Sequence, residues 1–187
     1  MMDSKYLKSA FFLLLLFAFC SCSKEGKRQE GYWKTLLQEK MSLMGHRNWI
    51  VVTDMAYPLQ TNPGISTICT DEPYEEVLNF VRQEINKAPH VYPHVYQDLE
   101  LSYLQEDLCP GIDMFRHRVN NILASDKIRQ VAHEELISRL DSVCDLFQVI
   151  IIKTTMTKPY TSVFFELDCK YWDARKQGIL QKNMSNR

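Results

Sequence analysis

Short apolar runs alternate along this chain with longer stretches in which apolar residues recur every three or four positions. The short runs are rich in β-branched and aromatic residues, which is typical of strands buried in a parallel or mixed sheet. They cover residues 49–52, 65–70, 90–96, 147–152 and 163–167. We expect the third run to be an edge strand, because Pro93 cannot donate to a ladder, and the last two runs to be neighbours.

The longer stretches predict helices over residues 32–44, 74–85, 110–123 and 126–140. The second helix is the clearest, because Asp71 and Glu72 lie near its positive end and Pro73 stands at its start. Residues 99–108 fit neither pattern. This alternation predicts an α/β fold of three layers, in which helices flank a central, mostly parallel or mixed sheet.

The amino-terminal residues have the features of an export signal. Lys5 and Lys8 precede an apolar stretch, residues 10–19, which is too short to span a bilayer and has the length of the central region of a signal peptide. Residues 19–22 are similar to a loosely matched bacterial lipobox, in which Cys22 is the residue that receives the lipid.

These features divide the chain into four parts. We expect a lipoprotein-type signal peptide (1–21), a polar tether (22–31), a single α/β domain (32–172) and a polar carboxyl-terminal tail (173–187). The protein would then belong to the bacterial cell envelope, anchored to a membrane through the lipid on Cys22, on its periplasmic or surface face. An uncleaved anchor helix is the alternative, and it predicts nearly the same location.

Charge and motif content exclude several classes of function. The 187 residues carry a formal net charge of −1, and there is no basic run beyond residues 24–28, so the sequence predicts no nucleic-acid partner. It also lacks a phosphate-binding glycine pattern, a Gly-x-Ser-x-Gly elbow and a His-Glu-x-x-His motif. Nucleotide binding, acyl transfer and metalloprotease chemistry therefore have no support.

Four cysteines lie in the predicted domain, without a Cys-x-x-Cys motif. They are Cys69, Cys109, Cys144 and Cys169. In an oxidising compartment they would allow two disulfides in three pairings, which the sequence does not distinguish. Because Cys69 and Cys144 lie in or beside apolar segments, where a thiol behaves as a small hydrophobic group, we favour free thiols.

The histidines other than His46 do not predict a metal site. His90 and His94 are four residues apart, but no carboxylate or cysteine lies near them at ligand spacing, and metal sites need three or four ligands. His117 and His133 fall on the polar sides of their predicted helices. We interpret both as solvated.

Residues 45–58 are the most informative segment for chemistry. His46 comes just before the first apolar run, and Asp54 comes just after it. Open α/β sheets bind ligands beyond the carboxyl ends of their strands, where Asp54 would lie. The simpler interpretation is that Asp54 caps a loop or short helix and that His46 faces solvent at a helix end.

A second informative segment covers residues 157–165, where a polar turn leads into an apolar strand. Tyr160 stands at the start of that strand, with its phenol available to a ligand. The simpler interpretation is aromatic packing at the edge of a sheet.

These segments resemble the ribose pyranase and fucose mutarotase family, RbsD/FucU. The likeness lies in Gly45-His46 before the first strand, Asp54 and Pro58 after it, an Ile-rich strand led by Phe147, and Tyr160 at the start of the last strand. It runs in order over residues 36–167. It implies that the protein interconverts the anomers or ring forms of a free monosaccharide by general acid/base catalysis, with no cofactor and no metal.

The resemblance also implies roles for particular residues. His46 would be the principal acid/base, Tyr160 a contact to the sugar, and Asp54 an orienting carboxylate. Arg47 and Ser162 would be substrate-binding positions, although the family has Asn where this chain has Ser162. A serine hydroxyl still donates and accepts a hydrogen bond but is shorter.

A geometric constraint predicts self-association. Eight residues of extended chain, at roughly 3.3 Å per residue, would separate His46 from Asp54 by about 26 Å. Unless the flanking turns fold both residues back to one end, a single chain cannot bring them to one sugar. Members of the family form ring-shaped homo-oligomers with sites near subunit boundaries, and we expect a homo-oligomer here.

Two functional classes fit these observations. The first is a mutarotase or pyranase, an isomerase acting on a free monosaccharide. The second is a non-catalytic envelope lipoprotein of the same fold, which binds a carbohydrate or a protein partner.

Overall fold

One mixed sheet of six strands lies at the centre of residues 31–186, the part of the chain that the computed structural model describes. The strands are β1 (Trp49–Thr53), β2 (Ile65–Cys69), β3 (Val91–Asp98), β4 (Ile128–Val131), β5 (Val149–Lys153) and β6 (Val163–Cys169). The α-helices are α1 (Tyr32–Met41), α2 (Tyr74–Lys87), α3 (Ile112–Ile122), α4 (His133–Val143) and α5 (Ala174–Ser185), and a short 3₁₀ helix (Leu99–Tyr103) follows β3. The predicted signal peptide and Cys22 lie outside the described residues.

The order of strands in the sheet determines which loops meet. The order is β2-β5-β1-β6-β3-β4, and β6 runs antiparallel to both of its neighbours, whereas β1 to β5 all run in one direction. We call the edge where β1 to β5 end the carboxyl edge and the opposite edge the amino edge. Because β6 is reversed, it begins at the carboxyl edge and ends at the amino edge.

Both faces of the sheet carry a hydrophobic core. On one face, side chains such as Ile50, Ile150 and Phe165 pack against α1, α2 and α3. On the other face, Leu136 and Leu140 of α4 pack with a smaller set that includes Trp49, Val51, Ile151 and Phe164. The predicted three-layer α/β fold is therefore confirmed.

The last two apolar runs are not neighbours, contrary to our expectation. β5 is paired with β1 on one side and β2 on the other, so β6 pairs with β1 and β3 instead. In this arrangement Val51 of β1 lies between Ile151 of β5 and Phe164 of β6. The apolar runs are equally suited to either neighbour, and the pairing depends on long-range packing.

The predicted helix over residues 126–140 was also wrong, because it contains two elements. Ile128–Val131 forms the edge strand β4, parallel to β3, and α4 begins only at His133. A strand this short contributes only Ile128 and Val131 to the interior, at a spacing that also fits a helix. β3 is not an edge strand, contrary to our expectation, because it lies between β6 and β4. However, β4 pairs only with residues 95–98 of β3, so β3 has a single neighbour at Pro93, which accommodates a residue without an N–H.

Residues 173–187, predicted as a polar tail, contain the helix α5. Asp173 caps it by accepting a hydrogen bond from the Lys176 N–H at 2.7 Å, and none of its side chains is buried. Among residues 31–186, no helix combines the length and the apolar character needed to span a bilayer. Cys69, Cys109, Cys144 and Cys169 are all free thiols, as predicted.

Gly64 gives a test of the packing between the loop before β2 and the end of α4. Its carbonyl accepts a hydrogen bond from the Val149 N–H at 2.8 Å, and a Cβ at this position would overlap the backbone carbonyl of Cys144. We expect Gly64→Ala to lower the free energy of unfolding by about 2 kcal/mol or more, measured by urea denaturation. Gly45→Ala is the matched control, because a Cβ there has room, and equal losses in both variants would contradict this packing.

Candidate functional site at the carboxyl edge

The structure brings three of the predicted site residues to the carboxyl edge and leaves two at the amino edge. Asp54 directly follows β1, while Tyr160 and Ser162 lie just before β6, so all three belong to the carboxyl edge. His46 and Arg47 precede β1 and therefore lie at the amino edge of the same chain. Within one chain, His46 does not meet Asp54 or Tyr160.

A histidine that the sequence did not nominate lies at the carboxyl edge. His133 is the first residue of α4, separated from the end of β4 by Ala132 alone, and its Nδ1 is 3.1 Å from Oδ1 of Asp98, the last residue of β3. A carboxylate at this distance makes Nδ1 the protonated nitrogen, which leaves the Nε2 lone pair as the acceptor. None of the described residues hydrogen-bonds that Nε2. Our interpretation of His133 as a solvated side chain was wrong.

A second carboxylate fixes the position of His133. Glu100 accepts hydrogen bonds from the His133 backbone N–H at 3.0 and 3.2 Å. This N–H is one of those that a helix leaves unpaired at its start, and a negative charge there is favourable for the helix dipole. The imidazole is thus held through both its backbone and its ring.

The Asp98 carboxyl group is poised to hold a proton near neutral pH. Its side chain is fully buried, and Oδ2 has no hydrogen-bond partner among the described residues. Burial raises the pKa of Asp98 to about 6; the hydrogen bond and charge of His133 oppose this, while the charges of Glu100 and Asp54 add to it. An imidazole whose Nε2 is left free, held by a carboxyl group with a raised pKa, suits general acid/base chemistry.

Tyr160 lies next to this pair. Its ring meets the His133 ring edge-on, with centroids 5.5 Å apart, and its side chain is partly exposed. Tyr160 has a φ of 56°, a left-handed conformation that is unfavourable for a residue with a side chain. The turn is held by the Thr161 hydroxyl, which donates to the Lys158 carbonyl at 3.0 Å, and by the buried Tyr74 hydroxyl, which donates to the Thr161 carbonyl.

Asp54 has the capping role that the simpler interpretation predicted, and it also lines a cavity. Its Oδ1 accepts a hydrogen bond from the Ala56 N–H at 2.7 Å, which stabilises the turn after β1. A cavity of about 270 Å³ lies between this turn and the loop before β6. It is lined by Asp54, Met55, Ala56, Thr157, Lys158 and Pro159. Ser162 is only 1% exposed, so its hydroxyl offers little surface to a ligand.

The amino edge carries a separate polar cluster around His46. Nδ1 of His46 is 2.6 Å from Oδ1 of Asp168, and Nε of Arg47 donates to Nε2 of His46 at 3.2 Å. Arg47 has a φ of 73°, and its guanidinium lies 5.6 Å from the centre of the Phe147 ring. His46 and Arg47 are exposed.

Comparison with known proteins agrees with this architecture. The sequence model of the RbsD / FucU transport protein family matches residues 28–169, and the chain belongs to this family. No curated protein matches the chain by sequence. The exported, lipid-anchored form that we expected remains a prediction.

Solved structures extend the comparison to the fold. RbsD of Bacillus subtilis, solved in complex with D-ribose, superposes with a TM-score of 0.52 at 14% identity over 72% of this chain and 92% of that chain. The fucose mutarotase of Streptococcus pneumoniae, solved with L-fucose, gives a TM-score of 0.47 at 17% identity over 71% and 90%. FucU of Bifidobacterium longum gives 0.46 at 12% identity over 72% and 94%. The first of these shows that the chain has the RbsD fold.

The burial of Asp98 predicts a pH dependence of stability. The pKa of Asp98 in the fold, about 6, lies above its ordinary value of 3.8, so the fold favours the protonated acid. This contribution is complete below about pH 4 and is lost as pH rises through about 6. We therefore expect Asp98→Asn to become more favourable relative to the wild type between about pH 4 and about pH 7, by up to about 3 kcal/mol.

Urea denaturation at several pH values measures this difference. Asp71→Asn is the control, because Asp71 is exposed in the loop after β2. If the difference in the free energy of unfolding between Asp98→Asn and the wild type stayed constant over the pH range, the raised pKa of Asp98 would be contradicted.

Proposed function

We propose that this protein interconverts the anomers or ring forms of a free monosaccharide. The observation that carries the proposal is the His133–Asp98 pair, with Tyr160 beside it, at the edge of the sheet where α/β folds bind ligands. Membership of the RbsD / FucU family and the fold shared with a ribose-bound protein support a sugar as the ligand.

The reaction needs only proton transfer. A base removes the proton of the anomeric hydroxyl while an acid protonates the ring oxygen, so that the bond between the anomeric carbon and the ring oxygen breaks and an open-chain aldehyde forms. Reclosure on the same hydroxyl gives the other anomer, and reclosure on a different hydroxyl gives the other ring size. In our proposal the Nε2 of His133 is one proton-transfer group, and Asp98 stabilises the imidazolium that forms.

We propose that His46 supplies the second proton-transfer group from another copy of the chain. Within one chain, His46 lies at the amino edge and His133 at the carboxyl edge, which is the opposite edge of the sheet. A site that contains both imidazoles therefore requires the amino edge of one copy to approach the carboxyl edge of the next. Tyr160 and Asp54 would contact sugar hydroxyls at this boundary, and Arg47 would do so beside His46.

A carbohydrate-binding protein without turnover is the second candidate. Two observations favour it: Arg47 already donates a hydrogen bond to Nε2 of His46, and Ser162, in the position of the family Asn, is nearly buried. A protein of this class would bind a sugar through the same residues without exchanging its anomers.

Exchange NMR with D-ribose, L-fucose and related pentoses and hexoses separates the two candidates. We expect the wild type to accelerate anomer or ring-form exchange of at least one sugar. His133→Ala and His46→Ala should each lower the enzyme-dependent rate by about 10²-fold, because each removes a proton-transfer group. His117→Ala, an exposed histidine on α3, is the matched control and should keep the wild-type rate.

The outcomes differ for the two candidates. Saturation transfer from protein to sugar without accelerated exchange would support the binding protein and contradict the enzyme. The absence of both effects over the whole panel would contradict both.

Mixing two inactive variants tests whether the site is shared between copies. If His46 and His133 come from different chains, an assembly refolded from equal amounts of His46→Ala and His133→Ala should recover about a quarter of the wild-type rate, because a quarter of the boundaries have both histidines. Light scattering should give a mass above that of the monomer. A monomeric mass, or no recovered rate in verified mixed assemblies, would contradict a shared site.

A further inference from the structure

Three side chains from two separate segments converge on Asp168 at the amino edge. Its Oδ1 is 2.6 Å from Nδ1 of His46, which precedes β1. Its Oδ2 accepts from the Tyr92 hydroxyl at 2.9 Å and lies 3.1 Å from Nε2 of His94, both on β3. The Cys169 backbone N–H also donates to Oδ1 at 2.6 Å. The pairing of Tyr92 with Asp168 across the antiparallel β3 and β6 makes this convergence possible.

The charge of Asp168 determines which nitrogen of His46 is protonated. Burial alone would raise the pKa of Asp168, but hydrogen bonds from the Cys169 N–H, Tyr92, His94 and His46 outweigh it and lower the pKa to about 2. The group is therefore an ionised acceptor at neutral pH. An acceptor at Nδ1 requires that nitrogen to carry the proton, so the neutral ring of His46 presents the lone pair of Nε2.

We propose that Asp168 is a positioning residue, which holds the His46 imidazole in its Nδ1–H tautomer so that Nε2 exchanges the proton with the sugar. The inference rests on the proposed function in assigning proton transfer to His46. The His46 side chain is 53% exposed, so Nε2 is accessible to a ligand from outside the chain. Arg47, also exposed, holds Nε2 at 3.2 Å in the free protein, and a sugar hydroxyl would replace this donor.

The geometry of the carboxyl edge supports this role independently. His133 is bound through Nδ1 to a carboxylate at a strand end, and this also leaves Nε2 as the acceptor. Both His46 and His133 would therefore transfer protons through Nε2, and in both residues an aspartate binds Nδ1. An aspartate that served only to connect β3 and β6 would not need to contact the segment before β1.

The same pair of strands offers a matched control for a purely structural role. Glu166 lies two residues before Asp168 on β6 and accepts a hydrogen bond from the Tyr96 hydroxyl of β3 at 2.7 Å. It thus connects the same two strands through the same types of group, without touching His46.

Ring-nitrogen NMR of isotope-labelled histidine tests the proposal without reference to activity. His46→Gln identifies the His46 signals. We expect the Nδ1–H tautomer for His46 in the wild type and in Glu166→Gln. Because Arg47 donates to Nε2 and favours the same tautomer, the variants are compared in an Arg47→Ala background. There, Asp168→Ala should shift the ring towards the Nε2–H tautomer, while Asp168→Asn should retain Nδ1–H, because its amide oxygen still accepts.

Anomer exchange with the same variants tests the functional consequence. Asp168→Ala should lower the saturated rate by about tenfold or more with little change in KM, since the tautomer with the wrong free nitrogen is inactive. Asp168→Asn should recover part of the loss, and Glu166→Gln should stay within about twofold of the wild type. Circular dichroism confirms that each variant is folded.

The two readouts separate the failure of this inference from that of the proposed function. An unchanged His46 tautomer in the folded double variant Arg47→Ala/Asp168→Ala, compared with Arg47→Ala, would overturn the positioning role, whatever the activity. If the tautomer shifts but the wild type exchanges no sugar, the positioning of the ring stands and the proposed function fails. Equal losses of rate in Asp168→Ala and Glu166→Gln would also overturn the proposal.

Discussion

The reversed direction of β6 is the constraint on which both polar clusters depend. β6 is hydrogen-bonded to β1 on one side and β3 on the other, and it is antiparallel to both. The turn that leads into β6, which contains Tyr160, therefore lies beside the end of β3, where Asp98 binds His133. Its last residues, with Asp168, are beside the starts of β1 and β3, where His46 and Tyr92 lie. If β6 ran parallel to its neighbours, its start would lie at the amino edge and its end at the carboxyl edge. Tyr160 would then be far from His133, and Asp168 far from His46.

The sequence could predict the elements better than their pairing. Apolar runs such as 49–52 and 147–152 identified β1 and β5 because a buried strand has a local signature, and the α/β class followed from the alternation of elements. The neighbours of β6 could not be predicted in this way, because the same apolar residues fill either position. β4 was missed because Ile128 and Val131 fit both a helix and a short strand, and only the long-range pairing with β3 decides between them.

The same limit explains which site residues were found. Asp54 and Tyr160 could be nominated because each follows or precedes a clear strand. His133 could be nominated only after β4 was recognised, since a histidine directly after a strand lies at the carboxyl edge, whereas one in the middle of a long helix faces solvent. Asp98 and Asp168 each acquire their partners from distant segments: Asp98 is 35 positions from His133, and Asp168 is 122 positions from His46.

The distance between the two edges restricts how copies of the chain can combine. β1 alone has five residues, which at roughly 3.3 Å per residue extend about 16 Å, longer than a monosaccharide. A boundary between the amino edge of one copy and the carboxyl edge of another joins two different surfaces. Such a boundary closes only as a two-fold pair that uses both surfaces at once or as a ring, and otherwise it continues into a filament. In a closed assembly every carboxyl edge receives one amino edge, so the proposed shared site would occur once per chain.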